Sequence, residues 1–354
     1  MVNYLFPSVG GELKLERTCP HCHRLGGRIH SALRQRRIDD IRVSTVPQQR
    51  MHCAYCGTSW TVRGDGVKAG CQHSDRLRAV GMFLYMLGLS YRSVACFCRS
   101  LEWRTSKSAV ERDVRDAGGQ AKTLHQEAPK MRVRILGVDG TGAKMAGQNA
   151  GMLFFVDVQT QQLICVEPVQ ETDTQKVRQH IQRVLAETNA QELRTDELSV
   201  YHDTAATHHT ICLAHWLKSK CKRAADLARQ FEAEQMSYEA QTMRDLLPLL
   251  HRYRFCRTFP EAIERLVRRF INCRQGLLWK ANQLLQHIER TWPSVSHDPA
   301  DATNNTTERL IGLTYKIRAK TMRGFKSQDK ALAHPYLAAF LRGTDGVCDL
   351  RKVI

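Results

Sequence analysis

Two cysteine pairs constrain this chain most. Cys19-Pro-His-Cys22 and Cys53-Ala-Tyr-Cys56 are separated by 31 positions, counted from Cys22 to Cys53. Each C-x-x-C turn offers two thiolates from one knuckle, and two knuckles make a tetrahedral four-sulfur site that suits structural Zn²⁺. His21, His23 and His52 are possible substitute ligands of that site; the alternative to a metal site is four buried or free thiols. A four-thiolate site is closed, so it folds a module and performs no chemistry. Trp60 and Val62 are expected to continue its second hairpin.

The chain has 13 cysteines and no run of about 18 apolar residues, so no membrane span is expected. The opening MVNYLFPSVG lacks a basic start and a long apolar core, so no secretory leader is expected either. Grouped cysteines then point to metal in a reducing, cytoplasmic setting. The formal net charge is +18, which favours a polyanionic partner, most simply nucleic acid. Residues 1–130 carry 21 Lys/Arg against 11 Asp/Glu, more than half of that excess.

Past Gly64–Gly70, read as a linker, three helical patterns follow. Asp75–Leu87 begins at Ser74 or Asp75 and turns Leu77, Val80, Phe83, Leu84 and Leu87 inward. Ser90 caps a second helix with Val94, Ala95, Phe97 and Leu101 inward. Cys96 and Cys98 fall inside it, two apart and on opposite sides, as small core residues rather than ligands. Thr105 or Ser106 caps a third, with Ala109, Val110, Val114 and Ala117 inward and Gly118-Gly119 closing it. Three short helices with tight turns fit a helix-turn-helix, or a plain three-helix bundle. In the former, Lys107, Ser108, Arg112 and Arg115 of the third helix would meet phosphates and base edges of double-stranded DNA.

The next stretch, Val133–Gly142, reads as an apolar strand that delivers Asp139 at its end. Asp-Gly is also a turn signal, so the acid alone is weak. A hairpin follows, Met152–Val158 with Leu163–Val169. Then come a helix at Thr174–Thr188 and a short strand, Leu193–Thr195, ending on Asp196. The order β-β-β-α-β is the ribonuclease H-like arrangement, and it sets Asp139 beside Asp196. A third acid, Glu308, opens a helix after Asn304 or Asn305. Asn305-x-x-Glu308 is also a capping box, in which Glu308 only satisfies a backbone donor. Seven Lys/Arg and one acid fill residues 309–330, which suits a phosphate partner.

Taken together, these blocks resemble a DDE transposase of a bacterial insertion sequence. The match runs from Cys19 to about Ser327: the cysteine pairs, the three helices, GVDGTG, TDELSVY, CLAH and TNNTTERLIGLTYKIRAKTMRGFKS. The last block is the most specific. Asp196 has the family's T-D-x-x-x-x-Y setting with Tyr201; Glu197 replaces the usual Gly, and Asp203 is a rival acid.

The resemblance implies a multi-domain α/β protein. Residues 1–65 form a zinc ribbon and 66–125 a helix-turn-helix. Residues 126–215 begin a mixed-sheet catalytic domain, 216–297 form an all-helical insertion, and 298–342 carry the final acid and a basic tail. It implies catalysis by Asp139, Asp196 and Glu308, which would hold two Mg²⁺ (or Mn²⁺) ions about 3.5–4 Å apart. Element ends are nicked, and the freed 3′-hydroxyl attacks target DNA. Arg309, Lys316, Arg318, Lys320, Arg323 and Lys326 would join the DNA contacts at the terminal inverted repeats and the target. Two ends must meet, so a homodimer or higher homo-oligomer is expected, in the cytoplasm at the nucleoid. Cys212 and His215 of CLAH are either structural or metal-binding; Trp216, Trp279 and Trp292 are core, or stack on a base. The rival readings are a non-catalytic transposase-derived DNA-binding regulator and a structure-specific nuclease of the same fold.

Overall fold

The computed structural model describes residues 2–128, 132–201, 206, 208–253, 257–270, 275–295, 305–321, 325–343 and 346–354. The fold is mixed α/β, and the chain divides into two compact units. The first comprises 1–129, 144–147 and 314–354; the second comprises 130–143 and 148–313.

The first unit opens with β1 (Asn3–Leu5). A small antiparallel sheet follows: β2 (Gly27–Ile29), β3 (Arg34–Arg37), β4 (Thr45–Cys53) and β5 (Ser59–Arg63). β4 pairs with the other three of that sheet, and Trp60 lies opposite Met51, Val62 opposite Gln49. Val9, Ile38 and Val46 make its small core, with Val67 packed against them. Gly64–Gly70 is therefore not a free linker. Val67 is anchored, and Gly66 accepts a hydrogen bond from the Asp75 amide at 2.7 Å.

Three helices follow: α1 (Asp75–Met86), α2 (Tyr91–Ser100) and α3 (Lys107–Glu127). Each begins where a serine satisfies an orphan amide. Ser74 accepts from Leu77, Ser90 from Ser93 and Ser106 from Ala109, at 3.0, 3.0 and 3.1 Å. The inward face of α1 is rotated from the expected one. Met82 and Tyr85 are buried with Leu77, whereas Leu87 is 65% exposed. The cause is a buried ion pair: Arg78 Nε donates to Asp113 Oδ1 of α3 at 2.9 Å, which fixes the angle of α1. In α2, Val94, Ala95 and Cys98 are buried, while Phe97 and Cys96 are exposed.

The second unit carries a five-stranded sheet. Its strands are β6 (Ile135–Met145), β7 (Gln148–Asp157), β8 (Gln162–Glu167), β9 (Glu192–Thr195) and β10 (His208–Ile211), with α4 (Thr174–Thr188) crossing between β8 and β9. The order is β10-β9-β6-β7-β8, parallel from β10 to β6 and antiparallel between β7 and β8. Its apolar strand residues, among them Leu136, Val138 and Phe155, pack against Val177, Ile181 and Val184 of α4. The hairpin tip, 144–147, belongs to the first unit, where Met145 bridges Phe325.

An all-helical segment follows: α5 (Leu213–Ala233), α6 (Ser237–Pro248), α7 (Phe259–Phe270) and α8 (Gly276–Thr291). Its core includes Trp216, Phe231, Met243 and Leu285. The Trp216 indole donates to Thr291 Oγ1 at 2.8 Å. Trp292 packs on Phe259, with ring centres 4.6 Å apart; Trp279 is 44% exposed.

Next, α9 (Asn305–Ile311) passes through a π-helical turn, Gly312–Lys316, into α10 (Ile317–Thr321). The chain ends with α11 (Gln328–Leu341) and β11 (Val347–Asp349). β11 pairs in parallel with β1. α11 explains why α3 does not stop at Gly118-Gly119. A Cβ on Gly118 would lie 2.8 Å from that of Ala333, so this glycine admits α11 rather than ending a helix. No helix among the described residues is long and apolar enough to cross a membrane.

Candidate metal centres

The four cysteines of the two pairs converge. The Sγ atoms of Cys19 and Cys56 are 3.6 Å apart, as are those of Cys22 and Cys53, and all four lie within 4.8 Å of one another. Four sulfurs at about 2.3 Å from one Zn²⁺ would be about 3.8 Å apart in a tetrahedron, so the donor set fits that ion. The knuckles are local: the amide of Gly57 closes on Cys53, and that of His23 on Cys19. Bonds from the Thr58 hydroxyl and its backbone hold the Cys56 thiol down to about 5, whereas burial and bonds with the other three thiols push Cys22 up to about 11; a metal would draw all four into the thiolate form. His52 bonds Ser59 instead, at 3.2 Å, and neither it nor His21 nor His23 joins the cluster.

The carboxylate centre lies in the second unit. β6 and β9 run in parallel register, Gly137 opposite Arg194, so the following residues bring Asp139 and Asp196 side by side. Glu171 joins them, and one carboxylate oxygen of each lies within 4.8 Å of the others. Glu171 was not legible as a site residue, because the chain leaving β8 must cross β7 to reach β6. Two glycines permit this. A Cβ on Gly151 of β7 would lie 2.5 Å from Gln170 Cα, and one on Gly140 of β6 would lie 2.5 Å from Glu171 Oε1. Gln170 fastens the crossing by donating to the Asn149 carbonyl at 3.0 Å. An acid between a strand and a helix, flanked by polar residues and answered by glycines on the neighbouring strands, is the available signal.

Tyr201 is fully buried, and its hydroxyl donates to Glu171. Burial, then the charge of Glu171, pushes that phenol up, so it remains a donor. Burial raises the Asp196 carboxyl, and Glu171 and Glu197 raise it further. Three acids crowded this way repel one another and favour a cation between them. Oxygen donors of this kind suit a hard divalent ion.

Glu308 stands outside the three-acid cluster. Its Oε1 is 3.1 Å from His215 Nε2. A hydrogen bond with Cys212, helped by the charges of Glu308 and Asp196, lifts His215 to about 9. The CLAH motif thus sets His215 against Glu308 and within the field of Asp196. Glu197 is likewise engaged: it bonds the buried Lys220 of α5, and His287 Nε2 of α8 at 2.6 Å. Asp203 lies outside the described residues.

The expected DNA contacts divide. Lys107, Ser108 and Arg112 are exposed on the first turns of α3; Arg115 is exposed and paired with Asp116 at 3.3 Å. Arg309 and Lys326 are exposed and Lys316 is half-buried. Arg318 is not available to DNA. It is 4% exposed, lies 4.0 Å over the Tyr85 ring, and donates to the carbonyls of Gly88 and Leu89 at 2.6 and 2.8 Å. It satisfies carbonyls at the end of α1, a structural task. The Lys320 side chain and Arg323 lie outside the described residues.

No family model and no curated protein matches this chain.

Proposed function

We propose that this protein is a DNA transposase, with a ribonuclease H-like catalytic fold in the second unit and a zinc ribbon plus helix-turn-helix in the first. One observation carries the reading. The carboxylates of Asp139 within β6, of Asp196 just past the end of β9 and of Glu171 in the loop after β8 converge on a mixed sheet whose order is β10-β9-β6-β7-β8; β6 does not end at Asp139 but runs on to Met145. The +18 charge and the exposed basic start of α3 support DNA as substrate.

Asp139, Asp196 and Glu171 would hold two Mg²⁺ or Mn²⁺ ions, with Glu308 outside their cluster, paired with His215. When bound, such ions activate the attacking oxygen and stabilise the leaving 3′ oxygen of an in-line displacement. The chain's own residues do the rest. Tyr201 holds Glu171 in one orientation, and Gly140 leaves room for it. Glu197, bound to Lys220 and His287, fixes the loop that presents Asp196. His215 holds Glu308 at 3.1 Å and, when protonated, would offer positive charge to a phosphate. Cys19, Cys22, Cys53 and Cys56 would hold Zn²⁺ and keep the ribbon folded.

The test is cleavage and joining of a labelled duplex bearing the element's terminal repeat, with a plasmid target and Mg²⁺. Joined products that disappear in Asp139→Asn and Asp196→Asn support the reading; binding without cleavage by any version in Mg²⁺ or Mn²⁺ contradicts it. The position of Glu171 favours one second reading, a structure-specific nuclease. That enzyme would cleave but join nothing.

A further inference from the structure

A cleft of about 770 Å³ opens in the first unit, between the turn that joins α2 to α3 and the segment 70–73. This volume is within the ~300–1,000 Å³ of small-ligand sites. His73 bonds the carbonyl of Arg104 and so ties the two walls together. Trp103 supplies a half-buried aromatic surface, and Arg99, Arg104 and Arg112 line the cleft around it. Two acids also line it. Asp113 is neutralised by Arg78 at 2.9 Å, which leaves Glu102 against three guanidinium groups. Thr105 and Ser106 add hydroxyls at the start of α3.

An indole, three arginines and two hydroxyls around one volume match a base, a phosphate and a sugar. Neither a bare phosphate nor an apolar molecule needs all of them. Ala109, Arg112 and Asp113 line the cleft, and Ser108 and Arg115, four before and three after Arg112, neighbour it on the surface of α3. A strand held by Ser108 and Arg115 would pass the mouth of the cleft beside Arg112.

We infer that this cleft receives one unstacked nucleotide of a DNA strand, with its base on the Trp103 indole and its phosphate on Arg99, Arg104 and Arg112. The inference rests on the DNA-binding reading of the first unit. The unstacked base gives the protein a preference for DNA that is already locally unpaired, because unstacking is then cheap.

The test uses the full chain and two labelled duplexes of one sequence, one fully paired and one with a single unpaired 2-aminopurine. The expected result is about tenfold tighter binding of the bulged duplex, with the 2-aminopurine fluorescence quenched; stacking on one aromatic accounts for a preference of roughly 5- to 150-fold. Trp103→Ala should abolish both the preference and the quenching and leave the paired duplex bound as before. Trp103→Phe should restore part of the preference. Because Trp103 is half-buried, Arg104→Ala provides a second, exposed variant, and it should weaken the bulged duplex more than the paired one. Equal affinity for the two duplexes, or a preference untouched by Trp103→Ala and Arg104→Ala, overturns the cleft inference alone. Failure of the wild-type protein to bind either duplex overturns the DNA-binding reading and the cleft inference with it.

Discussion

The two clusters of candidate ligands are built in opposite ways. The four thiols come from two knuckles, each closed within a few residues, and their sulfurs lie within 4.8 Å of one another, as a tetrahedral site requires. The three acids come from β6, the loop after β9 and a loop that crosses β7, and three carboxylates alone do not complete the coordination of a divalent ion. A site assembled from short knuckles tolerates little loss, since folding and binding are one event. A site mounted on a sheet can lose its ligands while the sheet persists. The thiolate centre should therefore fail as a fold and the carboxylate centre as a function.

The largest effect should come from Cys53→Ala. Structural zinc supplies about 10–16 kcal/mol in small modules, so the ribbon should unfold. Limited proteolysis within 1–65, and zinc content near zero, would report it; an intact, protease-resistant ribbon would break the comparison. Asp139→Asn should instead leave the thermal midpoint within a few degrees and abolish Mg²⁺-dependent cleavage.

Gly140→Ala sharpens the contrast inside the carboxylate centre. The added methyl would meet the Glu171 carboxylate. Displacing it should lower Mn²⁺ affinity by about 10–100-fold, as for other residues that orient ligands, without loss of the fold. Calorimetric titration would detect the change.

Arg318→Ala and Lys326→Ala form a pair within the basic tail. The first removes a cation–π contact and two carbonyl partners in the core, and should cost about 2–4 kcal/mol in denaturant midpoints. The second is exposed, and should reduce the salt dependence of DNA binding by about one counterion with no change in stability.

The smallest effect is a pH dependence of the first unit. Burial, then the charge of Arg318, holds His334 down to about 3, against 6.5 when unfolded. The folded state keeps it neutral, so its contribution is complete above about pH 6.5 and falls away as pH drops toward 3. Near pH 5 the loss is about 2 kcal/mol. Urea midpoints of wild type and His334→Phe should converge as pH is lowered; parallel curves would contradict this.

Local signals were legible and distant ones were not. The cysteine knuckles, the three serine caps and α4 at Thr174–Thr188 follow from spacing and capping within one or two turns. The neighbouring placement of Asp139 and Asp196 follows from strand order. Glu171 reaches the acids only because Gly151 and Gly140 clear a path on two other strands. Gly118 reads as a helix end until α11 is laid against it. Arg318 reads as a phosphate ligand because a charge run says nothing about which member is turned into the core. The pairing of β1 with β11 has no counterpart in local pattern.

The most direct measurement is Mn²⁺ binding to the zinc-loaded protein, followed by electron paramagnetic resonance and competed with Mg²⁺. Wild type should bind two ions that Mg²⁺ displaces, and Asp139→Asn should lose them while keeping its zinc. Identical Mn²⁺ binding by wild type and Asp139→Asn, or none by either, would contradict a catalytic metal centre at Asp139, Glu171 and Asp196.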